Sequence, residues 1–263
     1  MNRKCLFFDI DGTLVDENTH HIPQDAVEAL HQARKNGHYL FINTGRPYSH
    51  IIDEVKQVGF DGYCCGCGSE VIMNDEEVYC HRTDQQHCQK IKDMAVQCGI
   101  DIFGENTPMC QLADGNTEQG FDAILDHLYK EGFTNIEKWV DGKSQFIKFC
   151  LVYDDHSRLQ EFVDFLKKND FEFIDRAKYF GEVIPQHCSK ATAIDLIREK
   201  CGVTLDDCYV FGDSTNDLSM LKHVKHSILM GNGAESLKPL VEMVTDHIDC
   251  KGIEKALKSY NLI

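Results

Sequence analysis

The chain of 263 residues sets 27 lysines and arginines against 43 aspartates and glutamates, a formal charge of −16. A surface this acidic repels phosphate backbones and anionic lipid, which excludes nucleic-acid or membrane binding driven by general electrostatics. The longest stretch without Asp, Glu, Lys or Arg, Asn36 to Gly45, falls far short of the ~20 apolar residues of a membrane span, and an apolar fraction of 42% excludes a disordered chain.

The N-terminal Met-Asn-Arg-Lys-Cys runs straight into a short apolar strand, Lys4 to Phe8, without the longer apolar region and small-residue cleavage site of a signal peptide. The thirteen cysteines are therefore read as reduced thiols of a cytoplasmic protein, many of them small core hydrophobes. A helical pattern follows at Gln24 to Lys35, a strand at His38 to Asn43 and a helix at Tyr48 to Val58. The rhythm resumes near the C-terminus with a helix at Ala191 to Cys201, a strand at Cys208 to Gly212 and a helix at Leu218 to His223. Buried apolar strands alternating with amphipathic helices predict an α/β protein with a Rossmann-like, doubly wound parallel sheet.

The middle of the chain breaks that rhythm. Helical segments at Gln85 to Cys98, Thr117 to Glu131 and Ser157 to Lys168 alternate with strands at Phe146 to Tyr153 and Phe171 to Ile174, and Asp-Gly pairs at 114–115 and 141–142 suggest hairpins or sheet edges. This reads as an inserted α/β domain at residues 83–184, within a core formed by residues 1–82 and 185–263.

Three core strands end in reactive sequences: Asp9-Ile10-Asp11-Gly12-Thr13, Asn43-Thr44-Gly45-Arg46, and Gly212-Asp213-Ser214-Thr215-Asn216-Asp217. Ligands of open α/β sheets bind beyond the carboxyl ends of the strands, so the three loops should converge. Asp9 and Asp11, two apart on an extended backbone, would point to one side, and Asp213 would join them. Three carboxylates so close repel one another unless a hard cation sits between them, and oxygen-only ligands suit Mg²⁺. Taken singly, each Asp serves equally well as a turn former or N-cap, and Asp217 as a residue favouring the N-terminus of the next helix. Lys190 by itself reads as a solvated lysine at a helix start, and Arg46 as a substrate contact or a surface ion-pair partner.

Together these motifs resemble the haloacid dehalogenase (HAD) phosphohydrolase superfamily: Asp9 to Leu14 is similar to its first motif, Thr44 to its second, Lys190 to its third and Gly212 to Asp217 to its fourth. The long insert, Met230-Gly231-Asn232 and the tail from Val244-Thr245 to Gly252-Ile253 resemble the Cof-type sugar-phosphatase branch. The resemblance implies a Mg²⁺-dependent phosphatase of small phosphorylated metabolites, sugar phosphates above all. Asp9 would be the nucleophile that becomes an aspartyl-phosphate, and Asp11 the general acid and base. Asp9, the Asp11 backbone carbonyl and Asp213 would hold the metal, with Asp217 orienting its shell. Thr44, the amides of Ile10 and Gly45, Asn216 and Lys190 would surround the phosphoryl group, and the insert would act as a cap that excludes water and selects the leaving group. A phosphotransferase or phosphomutase using the same aspartyl-phosphate is the alternative, as is a non-catalytic ligand-binding regulator on the same fold.

One stretch departs from the family pattern. Cys64-Cys65-Gly66-Cys67-Gly68-Ser69 stands where relatives usually carry Asn-Gly-Ala, with Cys67 at the Asn position. The Cys64–Cys67 spacing is also that of a zinc half-site or redox pair, but it has no spaced partner pair and no helix N-terminus to lower a thiol pKa. His20-His21 is expected in a solvated loop, and the single tryptophan, Trp139, is expected to pack within the insert.

Overall fold

The computed structural model describes residues 3–118, 120–130, 133 and 135–263. In chain order the elements are β1 (Cys5–Phe8), α1 (Gln24–Lys35), β2 (Tyr39–Asn43), α2 (Asp53–Val58), β3 (Gly62–Cys65), β4 (Glu70–Met73) and β5 (Glu76–Cys80). There follow α3 (Gln85–Gln97), β6 (Asp101–Glu105), β7 (Cys110–Ala113), α4 (Asp122–Lys130), β8 (Ile136–Lys138), β9 (Lys148–Val152), α5 (Leu159–Lys168), β10 (Phe171–Ala177) and β11 (Phe180–Pro185). The chain closes with α6 (Lys190–Cys201), β12 (Cys208–Gly212), α7 (Leu218–His223), β13 (His226–Leu229), β14 (Met243–Val244) and α8 (Gly252–Ser259). It divides into two compact units, one of Met1–Gly45, Ile51–Val78 and Ser189–Ile263, the other of Arg46–His50 and Tyr79–Cys188.

The first unit is built on a sheet of order β14-β13-β12-β1-β2-β3-β4-β5, parallel from β14 to β3. The two central strands, CLFF and CYVFG, are buried at every position, as a sheet covered on both faces requires. Crossovers run outward from β1 in both directions, and their right-handedness puts α1 and α2 on one face and α6 and α7 on the other, which makes the fold doubly wound. The rings of Phe7 and Phe41 stack at 5.2 Å and those of Phe8 and Phe211 at 4.5 Å, so side chains of adjacent strands pack together on either face.

The second unit carries a six-stranded sheet of order β10-β11-β9-β6-β7-β8, antiparallel except for the β7–β8 pair. Alternation along β9 sorts its residues. Phe149 and Leu151 pack with Cys88, Ile91 and Ala95 of α3 and Phe162 and Leu166 of α5, while Cys150 and Val152 pack with Phe103, Phe121 and the apolar side of α4.

Several sequence expectations are corrected here. The helix expected over Tyr48 to Val58 is a 3-10 turn, Tyr48–His50, then α2, because Ile52 is extended (φ −65°, ψ 151°) where the chain leaves the second unit for the first. The helix expected from Thr117 begins only at Asp122. The Asn116 and Thr117 amides and the Thr117 hydroxyl are committed to the Asp101 carboxylate, and Gly120 turns the chain at φ +57°. Its expected end, Glu131, lies outside the described residues. Ser157, expected to open the next helix, donates its hydroxyl to Gly99 O instead, and α5 starts at Leu159. Of the two alternatives for the Asp-Gly pairs, the hairpin is the one corrected: the antiparallel neighbours β6–β7 and β10–β11 turn at residues 106–109 and 178–179, while the pairs at 114–115 and 141–142 come after β7 and the edge strand β8.

His50, the last residue of the 3-10 turn, is buried against the Phe133 ring (centroids 4.6 Å), with Nε2 3.2 Å from Cys110 Sγ. Burial, then the charges of Arg46 and Lys148, pushes its pKa down to about 4. The folded protein therefore holds this imidazole neutral where the unfolded chain protonates it. Its contribution is complete above pH ~6.5 and is lost as pH falls from there toward 4, about 3 kcal/mol in all. In urea titrations across this range, the wild type should lose that much more stability than His50→Phe. Parallel pH profiles for the two proteins would refute the assignment.

Candidate active site

Register brings three strand ends level: Phe8 of β1 pairs with Phe211 of β12 on one side and Ile42 of β2 on the other. Asp9, Asn43-Thr44 and Gly212-Asp213 therefore leave the sheet together. The Asp9 amide continues the ladder to Phe211 O at 3.0 Å. The chain then turns sharply, with Ile10 O accepting from the amides of Thr13, Leu14 and Val15. Half-exposed Asp11 bridges to Val15 through its backbone, and its charge bears on Asp9. Gly12 sits at φ +74°, where a Cβ would lie 2.5 Å from Asp213 Oδ2, and Thr13 Oγ1 donates to Asp213 Oδ1 at 2.9 Å.

At these strand ends, among the described residues, the carboxylates of Asp9, Asp213 and Asp217 lie within 4.8 Å of one another. Asp217, read from sequence as a possible helix cap, is fully buried: Oδ2 accepts from the amides of Asp213 (2.9 Å) and Ser214 (3.1 Å), and Oδ1 lies 2.6 Å from Lys190 Nζ. The same ammonium lies 2.6 Å from Asp9 Oδ1. Lys190 is thus no solvated lysine, being 1% exposed. It occupies the first position of α6, behind the reciprocal Ser189–Thr192 cap, and side chains there lean toward the helix N-terminus. Asn43 Nδ2 fixes the backbone by donating to Lys190 O at 2.9 Å.

Electrostatics follow from this crowding. Burial, then the charge of Asp217, raises Asp9 well above the carboxylate range, with Lys190 opposing only in part. Burial and Asp217 push Asp213 up to about 7. Burial works against the Lys190 ammonium, but Asp217 and Asp9 outweigh it and hold the pKa above that of an ordinary lysine. Fully ionised, the three carboxylates exceed the single ammonium by two charges, a deficit that a divalent cation with oxygen ligands fits.

The other sequence-derived residues fall as follows. Thr44 is buried, its amide donating to Cys64 O and its carbonyl accepting from Cys67 N. Ile10 is buried, Gly45 follows Thr44, and half-buried Asn216 accepts from Ser214 Oγ at 2.7 Å. Arg46 belongs to the second unit, where it donates to His50 O at 3.1 Å. Cys67 adopts φ 55°, ψ 38°, the left-handed region that Asn and Gly enter most readily. Cys64 lies inside β3 with its thiol pushed up by burial, a poor thiolate for metal or redox work. Trp139 packs half-buried against the larger core cluster of the second unit. Three contributors escaped the sequence reading: Asn43, Thr13 and Asn232, whose Nδ2 donates to Gly12 O at 2.7 Å and whose Oδ1 accepts from Ile248 N. Each stands in or beside a motif already singled out, but its partner is set by tertiary structure alone.

This fold and constellation define a hydrolase class. The haloacid dehalogenase-like hydrolase profile matches residues 6–257, and the chain belongs to that family. Among its relatives is an HMP-PP phosphatase of Escherichia coli O157:H7 (strain EC4115 / EHEC), 27% identical over 238 residues, 88% of this chain and 85% of the relative. Among solved structures, the HAD subclass IIB sugar phosphatase BT4131 superposes with a TM-score of 0.83 at 28% identity, covering 99% of this chain and all of that one. A protein of Geobacillus kaustophilus HTA426 superposes with a TM-score of 0.86 at 26% identity over the full length of both chains. No helix among the described residues is long and apolar enough to cross a membrane.

Proposed function

We propose that the protein is a cytoplasmic, Mg²⁺-dependent phosphatase of small phosphomonoesters, sugar phosphates in the first place, acting through a phosphorylated Asp9. The observation that carries this reading is the buried Lys190 ammonium shared between Asp9 and Asp217. It immobilises one oxygen of Asp9 and leaves the other to attack phosphorus, and positioning with charge stabilisation is most of what phosphoryl transfer asks of a protein. The names of BT4131 and the HMP-PP phosphatase support a small phosphorylated substrate.

As the Asp9 oxygen bonds to phosphorus, the ester oxygen departs and takes a proton from Asp11. Asp11 then removes a proton from the water that hydrolyses the acyl phosphate, restoring both carboxyl groups. The Thr44 hydroxyl, the amides of Ile10 and Gly45, Asn216 and Lys190 receive the phosphoryl oxygens. Asp9, the Asp11 carbonyl and Asp213 would hold Mg²⁺, and Asp217 keeps Asp213 in place through the amides it accepts from. When bound, the ion supplies the positive charge that lets an anionic carboxylate approach an anionic phosphate.

The test is phosphate release from a panel of phosphomonoesters with Mg²⁺ and with EDTA. Release should vanish in EDTA and return with excess Mg²⁺, and the ranking of esters identifies the substrate class. Equal release in EDTA would overturn the metal assignment, and no release from any ester would overturn the phosphatase.

A further inference from the structure

The chain passes between its two units at four places, two of them after Val78 and after Cys188. Within the second unit the residues next to these two crossings meet. Tyr79 Oη lies 3.8 Å from Cys188 Sγ, and His187 Nε2 lies 3.0 Å from His81 Nδ1, the two imidazoles standing edge to face with centroids 4.4 Å apart. The histidine pair opens on a cleft of about 490 Å³ that is also lined by His87, Asp84 and Asp170. His87 Nε2 lies 3.2 Å from Asn169 Oδ1, an acceptor that keeps the proton on Nε2 and leaves the lone pair on Nδ1.

We infer that this cleft binds a divalent transition ion of the Zn²⁺ type through His81 and His187, with water completing its coordination. Two ring nitrogens 3.0 Å apart can both sit at a metal–nitrogen distance of ~2.0–2.1 Å, subtending roughly 95° at the ion, and a small ring rotation opens that toward the tetrahedral angle. Imidazole donors select Zn²⁺, Ni²⁺ or Cu²⁺ over Mg²⁺, so this site and the carboxylate cluster of the first unit call for different ions. Without an ion, one imidazole donates its N–H to the other. Binding moves that proton to the far nitrogen of the same ring, so two neutral rings become ligands with no net proton release. The occupied site would tie the two crossings to each other.

The probe is Zn²⁺ alone, titrated calorimetrically into the reduced full-length protein with saturating Mg²⁺ present, for wild type, His187→Ala and His81→Ala. Wild type should bind one Zn²⁺ per chain that either variant weakens by at least roughly tenfold, and Zn²⁺ should raise the wild-type melting temperature but not that of His187→Ala. His187 is exposed, so its replacement leaves the core untouched. Co²⁺ in place of Zn²⁺ should give a visible spectrum without the thiolate charge-transfer band that cysteine ligands would produce. Equal binding by all three proteins, no binding by wild type, or a thiolate band would each overturn the site.

Discussion

Asp9→Asn should lower phosphate release by at least about 10⁴-fold, equivalent to about 5.5 kcal/mol of transition-state stabilisation, while leaving the protein folded. The amide is isosteric and its oxygen can still accept from Lys190, so the hydrogen bond at Asp9 Oδ1 survives. What disappears is the anionic oxygen that, in the proposed mechanism, forms the bond to phosphorus. Stability should hold or rise, because Asp9 is a buried carboxylate raised well above its ordinary pKa by burial and by Asp217. Release assays paired with thermal melts separate the two effects. Acid quenching during turnover should trap phosphate on wild-type protein and none on the variant. A variant retaining a tenth of wild-type activity would remove Asp9 from the chemistry and leave the fold assignment intact.

Lys148→Met should destabilise the second unit by about 3–5 kcal/mol. Lys148, the first residue of β9, is 2% exposed, its ammonium 2.8 Å from Glu105 Oε2 and 2.7 Å from Glu182 Oε1, and Arg176 closes the chain by pairing with Glu182. Methionine fills similar volume but leaves two carboxylates facing each other on a buried sheet face. Burial, helped by the charge of Glu182, raises Glu105 in spite of Lys148, whereas Glu182 is held down at about 2 by Lys148 and Arg176 in spite of its burial. Deleting the lysine removes that support. Adding Glu105→Gln to Lys148→Met should recover part of the loss, which the double-mutant cycle reads directly. A loss under about 1 kcal/mol in urea denaturation would mean that water reaches the pair and screens it.

How much was legible in the sequence depended on which interactions were local. Strands buried on both faces announce themselves as unbroken apolar runs, so β1, β2 and β12 and the loops at their ends could be read directly. The half-buried antiparallel strands of the second unit carry weaker signals: β7, with one buried residue in four, passed unnoticed, as did the edge strand β8. Lys190 shows the limit at the site. Ser-Lys-Ala-Thr reads as an ordinary solvated helix start, and only Asn43, Asp9 and Asp217, distant in sequence, turn its side chain into a buried one. The run of cysteines and glycines around Cys67 was visible, but the positive φ that Cys67 adopts was not.

Gly212 has no functional group, yet a Cβ there would stand 2.6 Å from Asp217 Cγ. Gly12 holds the same relation to Asp213. In a library scored for activity, both positions would look as intolerant as the carboxylates, and for a different reason: any side chain displaces the acid that does the work. Attempts to retarget this scaffold toward other substrates therefore have less freedom around the clustered carboxylates than a map of charged residues suggests. The room for change lies where the backbone does not press against a carboxylate.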